Sequence, residues 1–215
     1  MIVFDLDDTL IDTSGAVVPF KMKFCLEHLR KLGLSVSDFG AAYKRLMEIN
    51  AVSLRSLDAL KEFLVECQGD PSWLFLLKEL LFSPLPDHFV IPTLPHAKKV
   101  LAELHSKHIL ALVTAGRPSF QREKLEKAGI EPSLFSNILI PEDGCKKPCY
   151  EALCKQFLNE KVIVCGDRVQ IDLLPAHDLG FTTVHMRWGR GLLNQTESWV
   201  DHSICDLREL KDIVR

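Results

Sequence analysis

Met1-Ile2-Val3-Phe4-Asp5-Leu6-Asp7-Asp8-Thr9 is an apolar run that stops on three carboxylates and a hydroxyl. Such a run reads as a short strand buried on both faces, and its polar tail as the loop at that strand's carboxyl end. Apolar runs at residues 109–113, 138–140, 162–165 and 182–186 read the same way. Amphipathic stretches at helical spacing lie between them, at 97–105, 122–128, 150–157 and 172–179, and Gly129 and Gly180 end two of these. Asp206 and Glu209 have capping-box spacing and open a final helix. Strands alternating with helices predict an open parallel α/β sheet.

The alternation breaks once. Residues 22–32, 39–49, 54–67 and 73–82 carry only helical periodicity, and Pro84 and Pro86 follow them. The expected organisation is an α/β core formed by residues 1–14 and 87–215, with an all-helical domain inserted over 15–86. In that insert Phe24, Leu29, Phe63, Leu64 and Leu77 read as core.

Composition narrows the function classes. The 215 residues are 47% hydrophobic and 26% charged, with a net charge of −3. Such a chain can bury a sizeable core, and it lacks the basic excess expected of a nucleic-acid or anionic-membrane partner. No apolar run approaches the roughly 18 residues that span a bilayer, and the opening residues offer no signal-peptide pattern, so the expectation is a cytoplasmic protein. Seven cysteines, an odd number with no Cys-x-x-Cys pair, read as free thiols.

Ligands of open α/β sheets bind beyond the carboxyl ends of the strands. The predicted strand ends carry Asp5-Leu6-Asp7-Asp8-Thr9, Thr114-Ala115-Gly116, the stretch from Glu142 to Lys146-Lys147-Pro148, and Gly166-Asp167-Arg168 with Asp172 beyond. Carboxylates gathered at one edge repel unless a cation lies among them, and an oxygen-only ligand set favours Mg²⁺. Lysine and threonine beside such an ion suit a phosphate.

In these strand-end residues, and in their order, the sequence resembles the haloacid dehalogenase (HAD)-like superfamily of phosphohydrolases. The resemblance covers nearly the whole chain: Asp5-Leu6-Asp7-Asp8-Thr9 matches the first motif, Thr114 the second, Lys147-Pro148 the third with Lys146 as the rival, and Gly166-Asp167 with Asp172 the fourth. It implies a Rossmann-like core with a helical cap that chooses the substrate. It implies Asp5 as nucleophile forming an aspartyl-phosphate, and Asp7 as general acid and base. Asp5, Asp167 and Asp172, with the Asp7 backbone carbonyl, would hold Mg²⁺. Thr114, Lys147 and backbone N–H groups near Leu6 and Ala115 would hold the phosphate. The expected substrate is a small phosphorylated metabolite, and the protein a monomer or homodimer. A phosphomutase on the same core and an inactive HAD-like binding protein remain alternatives. Carbon–halogen and phosphonate cleavage are disfavoured, because enzymes of those branches typically lack the second aspartate, which Asp7 supplies here.

Individually these residues have plainer readings. Asp8 reads as a turn or capping residue, Asp172 as a helix N-cap with Pro175 in the first turn, and His185 as a core or strand histidine. Arg117 and Arg168 read as surface ion-pair residues. Cys145 and Cys149 bracket the candidate lysines, and incidental thiols are the better reading there than a redox switch.

Overall fold

The computed structural model describes residues 1–158, 160–193 and 195–214. The chain divides into two compact units, Met1–Ser14 with Pro86–Arg215, and Gly15–Leu85.

The first unit is built on a six-stranded sheet: β1 (Ile2–Phe4), β2 (Leu110–Val113), β3 (Asn137–Leu139), β4 (Ile163–Gly166), β5 (Thr182–Met186) and β6 (His202–Ile204). The spatial order is β3-β2-β1-β4-β5-β6. Every pairing is parallel, with Phe4 opposite Leu112 on one side and Cys165 on the other. This is the predicted α/β class with one edge strand more. β6 escapes the sequence reading because His202 and Ser203 are exposed and only Ile204 is buried, so no apolar run marks it.

Alternation along β1 sends successive side chains to opposite faces. On one face Met1, Val3, Ala111, Val113 and Val164 form a buried cluster with Tyr150, Leu153, Leu173 and Ala176. The last four come from the helical segments α7 (Lys147–Gln156), Val169–Leu173 and α8 (Leu174–His177). Helix α5 (Ala97–His105) buries Ala97, Val100, Leu101 and Leu104, the stripe its spacing predicts. Helix α6 (Pro118–Lys127) begins earlier than its apolar periodicity suggests, with Pro118 in its first turn, where a missing N–H costs nothing. It ends before Gly129, whose φ of +60° is a left-handed conformation that glycine adopts without strain. The 172–179 stretch is not one helix. A π-helical turn over Val169–Leu173 precedes α8, so Asp172 lies inside that turn rather than at a helix N-cap. The Asp206–Glu209 capping box is present, opening a 3₁₀ turn that leads into α9 (Leu210–Ile213).

The second unit is wholly helical: α1 (Val18–Lys31), α2 (Phe39–Val52), α3 (Ser56–Glu66) and α4 (Trp73–Leu81). Asp38 caps α2 by accepting from the Ala41 N–H at 2.7 Å. Its core holds Met22, Leu26, Leu29, Leu46, Ile49, Phe63, Leu64 and Leu77. Phe24 lies outside that core and stacks on Phe20, with ring centroids 6.2 Å apart. Among the described residues no helix is long and apolar enough to cross a membrane.

Candidate active site

Parallel strands leave their last residues at one edge, and there the side chains singled out in the sequence come together. Asp5 is the first residue beyond β1; its N–H donates to the Cys165 carbonyl at 2.9 Å, which extends the pairing with β4 by one bond. Asp167 follows β4. Asp172 returns to the same place through the π-helical turn, where its Oδ2 accepts from the Arg168 N–H at 2.8 Å. Gly166 makes this return possible: a Cβ there would lie 2.5 Å from the Asp172 Cβ and 2.6 Å from its Oδ2. Asp5, Asp167 and Asp172 are all buried, and each offers an oxygen within 4.8 Å of the other two.

Lys146 sits among them. Its Nζ is 2.5 Å from Asp5 Oδ1 and 2.6 Å from Asp172 Oδ1, and the side chain is 1% exposed. Lys147, the phosphate lysine favoured by the motif, is elsewhere. Its side chain is 42% exposed and lies 3.4 Å from Asp178 Oδ2. The physical reason is helical phase. Lys146 shares a face with Tyr150 and Leu153, both 1% exposed, at the i, i+4, i+7 spacing of a buried stripe, whereas Lys147 is turned off it.

Three buried carboxylates face one ammonium. Burial pushes the Asp5 carboxyl up to about 7; Lys146 opposes this, and the charges of Asp172 and Asp7 add to it. Burial, then Asp172 and Asp5, push Asp167 well above the usual carboxylate range. These shifts mark negative charge that the chain does not balance by itself.

Asp7 has a different environment. Lys124 Nζ lies 2.6 and 2.7 Å from its two oxygens, Gln121 Nε2 donates to Oδ2 at 2.9 Å, and the Thr13 hydroxyl donates to Oδ1. Burial alone would raise the Asp7 pKa, but the Lys124 charge and these hydrogen bonds outweigh it and lower it. Gln121 also donates to Thr114 Oγ1 at 2.5 Å, so the hydroxyl accepts there and keeps its own proton for another acceptor. Sequence reasoning missed Gln121 and Lys124. The available signal was polar residues at 121 and 124 on the same helix face as the apolar positions 120 and 125, all four buried.

Asp8 is a turn residue, with φ of +55° and its carboxylate accepting from the Ser14 N–H and hydroxyl. Ala115 follows Thr114 at the end of β2, and Gly116 at φ +138° turns the chain away. Among the described residues no disulfide forms, and Cys145 is exposed.

An open parallel sheet that brings buried carboxylates, a buried lysine and a hydroxyl to its carboxyl edge defines a Rossmann-like enzyme core. The family profile of haloacid dehalogenase-like hydrolases matches residues 1–180. The chain belongs to that family. It is 31% identical over 229 residues to a glyceraldehyde 3-phosphate phosphatase of Methanocaldococcus jannaschii, covering all of this chain and 96% of that protein. It is 26% identical over 227 residues to the enzyme of the same name from Pyrococcus furiosus, covering all of this chain and 92% of that one. A phosphoserine phosphatase of Thermus thermophilus is 35% identical over 158 residues, covering 70% of this chain and 61% of that one. Among solved structures, the magnesium-bound HAD-hydrolase YfnB from Bacillus subtilis shares the fold, with a TM-score of 0.72 at 16% identity and 100% and 97% of the two chains covered.

Proposed function

We propose that this hydrolase is a Mg²⁺-dependent phosphomonoesterase that forms an aspartyl-phosphate on Asp5 and acts on a small phosphorylated metabolite. One observation carries the reading: Lys146 bridges Asp5 and Asp172 with Asp167 alongside, all buried, at the end of the parallel strands. The phosphatase names of the sequence relatives support it.

The residues fit a hard divalent cation. Their donors are all oxygen, and three carboxylates against one ammonium leave a charge that such an ion would balance. Asp5, Asp167 and Asp172, with the Asp7 backbone carbonyl, would hold it. When bound, Mg²⁺ offsets the charge of the phosphate and keeps the Asp5 carboxyl ionised.

The chain's own groups do the rest. An Asp5 carboxylate oxygen attacks phosphorus, the bond to the leaving oxygen breaks, and Asp7 gives that oxygen a proton. Water then attacks the aspartyl-phosphate, Asp7 takes its proton, and inorganic phosphate leaves with Asp5 restored. Paired with Lys124, Asp7 is in the ionised form that suits the second step; for the first it must take up a proton and leave Lys124. Lys146 and the Thr114 hydroxyl hold the phosphate oxygens, with backbone N–H groups near Leu6 and Ala115 as further donors.

We assign substrate choice to the helical unit, because it is inserted directly after the nucleophile loop. The names of the relatives favour a three-carbon phosphate such as glyceraldehyde 3-phosphate.

Purified protein is expected to release p-nitrophenol from p-nitrophenyl phosphate with Mg²⁺, to stop in EDTA and to recover when Mg²⁺ is restored. A panel of glyceraldehyde 3-phosphate, phosphoserine and ribulose 1,5-bisphosphate should then show highest kcat/KM on the first. Turnover that persists unchanged in EDTA would remove the cation from the reading. No turnover on any of these substrates with Mg²⁺ would remove phosphatase activity.

A further inference from the structure

His185 is a polar residue in the interior strand β5, between Val184 and Met186, and it is fully buried. A buried ring nitrogen must find a partner or cost stability. Both find one. Nε2 lies 3.1 Å from the backbone carbonyl of Asp167, and Nδ1 lies 2.9 Å from Thr196 Oγ1. A carbonyl can only accept, so Nε2 carries the hydrogen. In the neutral ring Nδ1 is then the acceptor for the threonine hydroxyl. Thr196 Oγ1 in turn accepts from Arg187 Nη1 at 3.4 Å. The result is a one-way chain of donors, from a guanidinium through a hydroxyl and an imidazole to the Asp167 carbonyl.

The register places this chain under the acid cluster. His185 pairs directly with Gly166, the last residue of β4, so its ring reaches the next carbonyl. Gly191 also packs closely here: a Cβ on it would lie 3.0 Å from the same carbonyl oxygen and 3.2 Å from the Asp167 Cβ. Asp167 has a reason to move. Its carboxylate has an oxygen within 4.8 Å of those of Asp5 and Asp172, and like charges in a buried site push apart. A backbone pinned at its carbonyl fixes the position from which that side chain reaches the cluster.

We infer that His185, oriented through Thr196, is a positioning residue that holds Asp167 in place for cation binding. Hydrogen-bonded support behind a ligand commonly changes metal affinity by about 10–100-fold. This inference rests on the proposed cation site and needs a readout other than turnover.

The experiment is calorimetric titration of the full chain with Mg²⁺, repeated with Mn²⁺ by electron paramagnetic resonance. The variants are Thr196→Val, Thr196→Ser, His185→Leu and His185→Gln. Thr196→Val and His185→Leu are expected to weaken cation binding about tenfold. Thr196→Ser keeps the hydroxyl, and His185→Gln places an amide donor where Nε2 stood, so both should bind within about threefold of wild type, inside the ordinary scatter of a conservative change. In p-nitrophenyl phosphate assays the weakened variants should need more Mg²⁺ for half-maximal rate and regain most of kcat at saturation. A merely structural histidine would lower the melting temperature and leave the cation affinity alone. Should His185→Leu fail to fold, Thr196→Val decides, because Thr196 is partly exposed and outside the sheet. Wild type that binds neither cation would overturn the cation site and this inference with it. Wild type that binds, with Thr196→Val unchanged, would overturn the inference alone.

Discussion

Asp5→Asn is expected to abolish turnover and, in EDTA, to raise the melting temperature. The first effect follows from the chemistry: an amide oxygen is a poor nucleophile, and losing a covalent catalyst costs on the order of 10⁴–10⁶-fold in kcat. The second follows from the charge balance. Burial pushes the Asp5 carboxyl up to about 7 in the folded chain, against an ordinary value of 3.8. A folded value above the unfolded one means that stability is lost as pH rises between the two, and by neutral pH the loss is of the order of a few kcal/mol. Asparagine carries no charge to repel Asp172, and Lys146 retains Asp172 at 2.6 Å. Initial rates on p-nitrophenyl phosphate and thermal melts in EDTA at pH 7.5–8 check both effects. A variant that kept most of its activity would dismiss Asp5 as the nucleophile. A lower melting point would show that the metal-free cluster is balanced by other means.

Lys146→Met and Lys147→Met should separate two neighbouring lysines by a wide margin. Lys146 contacts both Asp5 and Asp172, and its removal leaves buried carboxylates facing one another. Breaking a buried pair in this way costs about 3–5 kcal/mol. Losing a cation aimed at the transferring group costs roughly 10²–10³-fold in kcat. Lys147 faces exposed Asp178, and removing it should change stability by less than about 0.5 kcal/mol and the rate by less than about twofold. Denaturant unfolding in EDTA and steady-state rates at saturating Mg²⁺ measure the pair. Equal losses in the two variants would mean that Lys146 is not the phosphate lysine.

Much of this arrangement was legible in the residues. The continuous apolar runs of β1, β2 and β4 mark strands buried on both faces, and the polar residues after each belong at one edge because parallel strands end together. That logic brings Asp5, Thr114, Asp167 and Asp172 into one region without any knowledge of distances. What it cannot supply is helical phase at a helix start. Motif spacing favours the lysine next to Pro148, whereas burial follows the stripe through Tyr150 and Leu153 and selects Lys146. Gln121 and Lys124 were missed for a related reason. Polar side chains on a helix ordinarily face water, and only the fold shows that Gln121 and Lys124 are buried with Asp7 as their partner. Asp172 reads as a cap because Pro175 suits a first helical turn, and Pro175 does sit in the first turn of α8. The π-helical turn ahead of it leaves no apolar periodicity to read.

The stripe of α7 carries a consequence for how this protein can change. Lys146, Tyr150 and Leu153 lie in one row, so the side chain that bridges Asp5 and Asp172 and those cementing the sheet are anchored by the same helix face. The Tyr150 hydroxyl ties the row to the Asp172 carbonyl at 3.1 Å. Repacking beneath the sheet would therefore re-aim the ammonium, and mutational paths that leave the interior free to drift in other folds are coupled here to the geometry of the carboxylate cluster.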